Sequence, residues 1–159
     1  ETRLGAVAGE FPCINPNFVG RKAEFGYIAR DGLLGSLQQW QYPPIGITYD
    51  AIVKHELATG EVVDTWDCSG SGLHLFEPQF VPREEEDGGG SGKEDDGFLV
   101  LFATDAKRDK SFFVILDASD LASGPAAMIE VPQSQKVCSG LHGCWIPLAK
   151  NGLKMEGAT

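Results

Sequence analysis

Phe98-Leu99-Val100-Leu101-Phe102-Ala103-Thr104-Asp105 and Ser111-Phe112-Phe113-Val114-Ile115-Leu116-Asp117-Ala118 flank the polar stretch Ala106-Lys107-Arg108-Asp109-Lys110. Two runs of aromatic and branched residues around a short polar turn predict an antiparallel pair of strands. The apolar stretches 98–103 and 112–116 are nearly continuous. A strand covered by neighbours on both faces reads this way, whereas one wetted on a single face alternates.

Outward from this hairpin the same grammar repeats. Residues 25–30 predict a strand, and residues 47–57 and 62–66 predict a second hairpin about Thr59-Gly60. Residues 127–132 predict a shorter strand. Twenty glycines and nine prolines break the chain too often for long helices. The fold class is therefore all-β, a meander of strands and tight turns. Stacked propeller blades bury both faces of their inner strands and suit this pattern. No internal repeat is visible in the letters, so the residues alone establish antiparallel β and leave the number of blades open.

The chain has 159 residues, enough for one ordinary domain, and 42% of them are hydrophobic, enough to supply a core. The formal net charge of −10, from 13 basic and 23 acidic residues, argues against nucleic acid as a partner and weakens any electrostatic attachment to anionic lipid. No apolar run reaches the roughly 20 residues needed to span a bilayer. No basic segment leading into an apolar one marks a secretory signal. The opening Glu1-Thr2-Arg3 fits a fragment or processed product. Cys13, Cys68, Cys138 and Cys144 form no Cys-x-x-Cys pair, which suits reduced thiols in an intracellular compartment.

Residues 84–97 are acidic and glycine-rich, and their first part predicts a mobile surface loop because it has little apolar surface to bury. The spacing of its carboxylates lacks the alternation of a calcium loop. Residues 148–159 read as a tail.

Three histidines are available for metal chemistry, His55, His74 and His142. His55 lies between Lys54 and Glu56 on an alternating strand and is expected to face solvent. His74, in Gly72-Leu73-His74-Leu75, is expected to be a loop or packing residue. His142 sits in Gly140-Leu141-His142-Gly143-Cys144-Trp145-Ile146-Pro147, where the glycines leave backbone room and the neighbours are apolar. A neutral imidazole in a dry, crowded place is a good donor to ferrous iron, and equally a buried histidine donating to a carbonyl. Glu10, in Gly9-Glu10-Phe11-Pro12, and Glu77, in Phe76-Glu77-Pro78-Gln79-Phe80-Val81-Pro82-Arg83, each stand beside aromatic and proline residues. A carboxylate there is awkward unless paired, and a metal-bound histidine needs such a partner on its other ring nitrogen.

Taken in order, these motifs, with Glu94-Asp95-Asp96-Gly97 and Val114-Ile115-Leu116-Asp117-Ala118, resemble the C-terminal part of the carotenoid cleavage oxygenases. The resemblance runs from about Glu10 to Pro147. It implies the C-terminal blades of a seven-bladed β-propeller, incomplete in this chain, with residues 1–147 as oxygenase domain. It implies an Fe(II) cofactor on the propeller axis held by four histidines, of which His142 would be one, with three upstream. Glu10 and Glu77 would be outer carboxylates hydrogen-bonded to ligand histidines. Which glutamate serves which histidine stays open in the sequence, and the partners of both are expected upstream. The implied activity is dioxygenase cleavage of a C=C bond of a carotenoid or apocarotenoid with O2, giving two carbonyl products. No catalytic residue beyond the metal site is implied, and the fragment alone would be inactive. Any peripheral membrane contact would come from regions outside this chain. A plastid address is implied for a plant or alga, and a cytoplasmic one otherwise. Cys138 where the family often has proline, and the apparent insertion at 84–93, depart from the pattern. Two other readings are a non-catalytic β-propeller binding module and a metal-dependent lactonase-like propeller.

Overall fold

The computed structural model describes residues 5–32, 49–83, 92–105, 107–135, 137 and 142–146. The described strands are β1 (Gly9–Cys13), β2 (Phe25–Asp31), β3 (Tyr49–Glu56), β4 (Val62–Asp67), β5 (Leu73–Leu75), β6 (Gln79–Pro82), β7 (Gly97–Asp105), β8 (Lys110–Asp117) and β9 (Pro125–Val131). Two three-residue 3-10 turns, Pro16–Phe18 and Gln133–Gln135, are the helical elements among the described residues. All strand pairings are antiparallel.

The strands form two four-stranded meanders. The first runs β1-β2-β3-β4, and in the second β7-β8-β9 follow an inner strand made in two pieces, β5 and β6, both paired with β7. A single bridge, Tyr49 to Leu75, joins the meanders into one nine-stranded sheet. The expected hairpins are present, with Gly60 at φ 76° in the β3–β4 turn. The β7–β8 turn is held by the buried Asp105 carboxylate, which accepts from the backbone N–H groups of Lys107 and Arg108 and from the Arg108 guanidinium.

One face of each meander packs on the other. Tyr27, Ala29, Ile52 and Trp66 of the first join Leu99, Leu101, Val114 and Leu116 of the second in one buried cluster. Each fully buried leucine contributes about 1.5–3 kcal/mol through removal of apolar surface from water. Polar links cross the same seam. The Tyr27 hydroxyl donates to the Ala118 carbonyl at 3.1 Å, and Asp64 accepts from the N–H groups of Leu121 and Ala122 at 2.6 and 3.1 Å.

The segment Glu94-Asp95-Asp96, the last part of the acidic stretch, is tied into the fold and leads into β7. Glu94 is buried, its carboxylate accepting from the N–H groups of Glu24 and Phe25 at 2.8–2.9 Å, and its carbonyl accepts from the Asn15 amide. Asp95 pairs with Lys54 at 2.8 Å, and the Lys54 ammonium lies 4.3 Å from the Phe25 ring centroid. Backbone donors and a buried cation supply what charge counting alone assigns to water. Residues 84–91 and 148–159 lie outside the described residues.

His55 also differs from expectation. It is 8% exposed, with Nδ1 3.3 Å from the Gly60 carbonyl and Nε2 buried without a partner. Segment 5–8 lies over this side of β3: a Cβ at Gly5 would stand 3.2 Å from His55 Cε1. Alternation signals an exposed position only where nothing covers the second face, and β3 is covered on both.

The expectation that β7 and β8 are buried on both faces holds for one face. On the other, in the cross-strand row Phe102, Phe113 and Ile129, Phe102 is 39% and Ile129 54% exposed, with Phe113 half-buried between them.

Candidate metal centre

Both inner strands are interrupted where a glutamate stands. In β1 the register slips between Glu10, opposite Ala29, and Cys13, opposite Tyr27, so that Phe11 and Pro12 together oppose Ile28. In the second meander the break between β5 and β6 holds Phe76, Glu77 and Pro78. Proline cannot donate to a ladder, so each Glu-Phe-Pro or Glu-Pro step breaks the pairing locally, and bulges of this kind re-aim side chains. The break is pinned on both sides. Phe76 N–H donates to the Phe102 carbonyl at 3.0 Å, and β6 is drawn onto β7 where Gly97 faces Pro82. A Cβ at Gly97 would lie 2.5 Å from the Val81 carbonyl oxygen, so this close approach requires glycine.

The Glu77 carboxylate thus reaches the segment carrying His142. One oxygen lies 3.3 Å from His142 Nδ1, and the other accepts from the Gly143 N–H at 2.6 Å. This corrects the expectation that the partner of Glu77 lies upstream of the chain. An ionised carboxylate only accepts, so Nδ1 is the donor in this contact, and a neutral ring would present its lone pair at Nε2. The His142 side chain is 70% exposed and Glu77 18%. His142 therefore does not sit in the dry, crowded setting its apolar neighbours predict. Trp145 and Ile146 are exposed as well, because the face they flank has no cover among the described residues.

Two aromatic rings complete the surroundings. Phe11 lies edge-on to His142, centroids 5.8 Å apart and planes at 88°, and packs against Tyr49 at 5.2 Å. Glu10, one residue earlier, is exposed, and its negative charge, after burial, helps push the Tyr49 phenol up. Burial, reinforced by the charge of Glu77, pushes the Cys13 thiol up to about 12, which keeps it protonated and poor as a nucleophile or metal donor. His74 stands on β5, half-buried and opposite Thr104.

His142 borders a cleft of about 310 Å³ whose walls include Val100, Phe102, Phe113, Val137 and Trp145. Among the described residues no group of three or more His, Cys, Asp or Glu side chains could hold a metal ion. The donor chemistry at His142 nevertheless fits one ligand of a shared ferrous site, since a carboxylate on Nδ1 favours the tautomer that would offer Nε2 to a metal.

Two stacked antiparallel meanders, with a histidine anchored by the carboxylate of a broken strand, are built as blades of a β-propeller. The chain belongs to the carotenoid oxygenase family, since residues 1–147 match the family described as retinal pigment epithelial membrane protein. It is 30% identical over 138 residues to carotenoid cleavage dioxygenase 7, chloroplastic, of Arabidopsis thaliana, covering 86% of this chain and 21% of that protein. Its fold superposes on lignostilbene dioxygenase of Pseudomonas brassicacearum with a TM-score of 0.70 at 30% identity, covering 91% of this chain and 28% of that one. It also superposes on cobalt-substituted Synechocystis apocarotenoid oxygenase with a TM-score of 0.61 at 28% identity, covering 80% and 23% of the two chains. The chain spans less than a third of each of these proteins.

Proposed function

We propose that this chain is part of an Fe(II) dioxygenase that cleaves a conjugated C=C bond of a carotenoid or apocarotenoid. The observation that carries the reading is the Glu77 carboxylate on His142 Nδ1, which leaves Nε2 free at the edge of an apolar cleft. Residues 1–147 are the oxygenase part. His142 supplies one imidazole, and the other ligands come from residues outside this chain, so the chain alone is inactive. Glu10 serves one of those other histidines. Iron held by His142 and the other histidines would supply the activation of dioxygen. In the overall change the C=C and O–O bonds break and two C=O bonds form, so atoms balance without a further reductant.

The remaining work falls to this chain's own groups. Glu77 holds the proton on Nδ1 and prevents the ring from presenting that nitrogen instead. Gly143 N–H fixes the carboxylate in place. The apolar walls from Val100 to Trp145 suit a polyene, whose burial releases water from a long apolar surface. No side chain is required to move a proton during cleavage.

The similarity to a lignostilbene dioxygenase supports a second substrate class, an aryl-substituted alkene, read by the same cleft. The chloroplastic relative supports a plastid address if the source is a plant or alga. No helix among the described residues is long and apolar enough to cross a membrane.

The test uses the longer protein that contains residues 1–159, loaded with Fe(II) and assayed on carotenoids, apocarotenoids and stilbenes. The wild-type protein should retain iron and release carbonyl products from one of these classes. His142→Ala should lose both iron and cleavage, and full iron occupancy in that variant would reject the ligand assignment.

A further inference from the structure

Phe11 occupies a conformation that its own sequence disfavours twice. Its φ is 56°, in the left-handed region that bulky side chains rarely enter. It also precedes Pro12, and residues before proline are pushed toward extended backbone. An ordinary core phenylalanine on a strand needs neither departure. The register slip between Glu10 and Cys13 is what permits it, because the following proline has no N–H to withdraw from the ladder. Strain of this kind persists where surrounding contacts over-determine it, and it marks places where a side chain must point somewhere in particular.

Phe11 points between two rings. It packs on Tyr49 at 5.2 Å with planes at 63°, and it meets His142 at 5.8 Å with planes at 88°. Tyr49 is buried at the bridge between the two meanders, so it backs Phe11 with a fixed wall. The His142 ring has one hydrogen bond through Nδ1, and a single anchor leaves an imidazole free to rock about that bond. A perpendicular ring against it removes that freedom, since rocking would drive one ring into the other and lose the edge-to-face contact.

We propose that Phe11 is a positioning residue for His142: Glu77 sets the tautomer, and the edge-on Phe11 ring, backed by Tyr49, sets the plane in which the Nε2 lone pair points. The inference rests on the reading of His142 as a metal ligand and adds a residue to it. It accounts for an aromatic side chain held in a strained bulge next to a glutamate, where a smaller or more permissive residue would fit the backbone better.

The experiment uses the longer protein with Co(II) as a spectroscopic probe and Fe(II) for affinity. Phe11→Leu keeps apolar bulk and removes the ring. It should weaken Fe(II) binding by about tenfold, the low end for a partner that orients a ligand, and broaden or shift the visible Co(II) bands. Phe11→Tyr keeps the ring and should restore both. Should Phe11→Leu lower the folded yield, Phe11→Met supplies the same comparison. A purely structural role would lower the melting temperature of the metal-free protein and leave the Co(II) bands of the folded fraction unchanged, and that result overturns the proposal. If His142→Ala loses metal while Phe11→Leu and Phe11→Met bind with wild-type affinity and spectrum, the positioning role fails and the ligand reading stands. If His142→Ala binds as the wild type does, both fall.

Discussion

Glu77 and His142 are 65 residues apart in the chain, yet the carboxylate of one spans the ring N–H of the other and the next backbone N–H. The first contact is 3.3 Å and the second 2.6 Å, so the glutamate holds the main chain of the histidine segment more tightly than the ring itself. The segment is thereby tied to the broken inner strand where residues 76–78 interrupt the pairing with β7. His142, which lies outside any strand, gains its position from this clamp.

Glu77→Gln retains the size of the side chain and one acceptor oxygen. It can serve either His142 or Gly143 as an acceptor, while its amide must turn a donor toward the other N–H. Metal affinity of the longer protein should fall about 10–100-fold, in the range for partners of ligating histidines. Titration with Fe(II) under anaerobic conditions checks this, and an unchanged dissociation constant would remove Glu77 from the site.

Lys54 and Asp95 are paired 2.8 Å apart, with the lysine side chain 5% exposed and the aspartate 21%. Asp95→Asn leaves a buried ammonium facing an amide. Removing one partner of such a pair costs about 3–5 kcal/mol, with the lower end expected here because Asp95 is partly wetted and the Phe25 ring still faces the cation. Urea unfolding measures the change. A loss below about 1 kcal/mol would mean that the pair behaves as a surface contact.

Asp67 gives the pH response a definite sign. The Arg30 guanidinium, then the Ser69 hydroxyl and backbone N–H, hold its carboxyl down to about 2. The folded value lies below the unfolded one of about 3.9, so the contribution is present above about pH 4 and is lost as pH falls toward 2. The Asp67 side chain is 47% exposed, and solvent screening keeps its share of stability below about 1 kcal/mol. Asp67→Asn should lower stability above about pH 4, pH 7 included, by less than about 1 kcal/mol, and flatten the curve slightly between pH 4 and 2, where its difference from the wild type disappears. A variant whose curve drops as steeply as the wild type would place the acid transition elsewhere.

Short-range patterns carried much of the architecture. The runs at 98–105 and 111–118, and the Thr59-Gly60 turn, state their own pairing because branched and aromatic residues flank turn residues at hairpin distance. Strands β1, β5 and β6 are not legible in the same way. They are short and interrupted by Pro12 and Pro78, and their pairing depends on longer neighbours. The burial of Glu94 and His55 was hidden for a related reason. Their cover comes from residues 24–25 and from segment 5–8, distant in sequence, and a local window sees only the charge or the alternation.

The site divides along the same line. His142, Glu10 and Glu77 stand out as letters, because glycine, proline and aromatic neighbours around an imidazole or a carboxylate make unusual local contexts. Their grouping does not. That Glu77 meets His142, while Glu10 stays exposed beside a strained Phe11, depends on where two broken inner strands end up after the meanders stack. Periodicity and turn chemistry act over a few residues and can be read along the chain. The approach of residue 77 to residue 142, and of residue 11 to both Tyr49 and His142, is fixed by apolar faces packing between segments far apart in the chain, which no local pattern encodes.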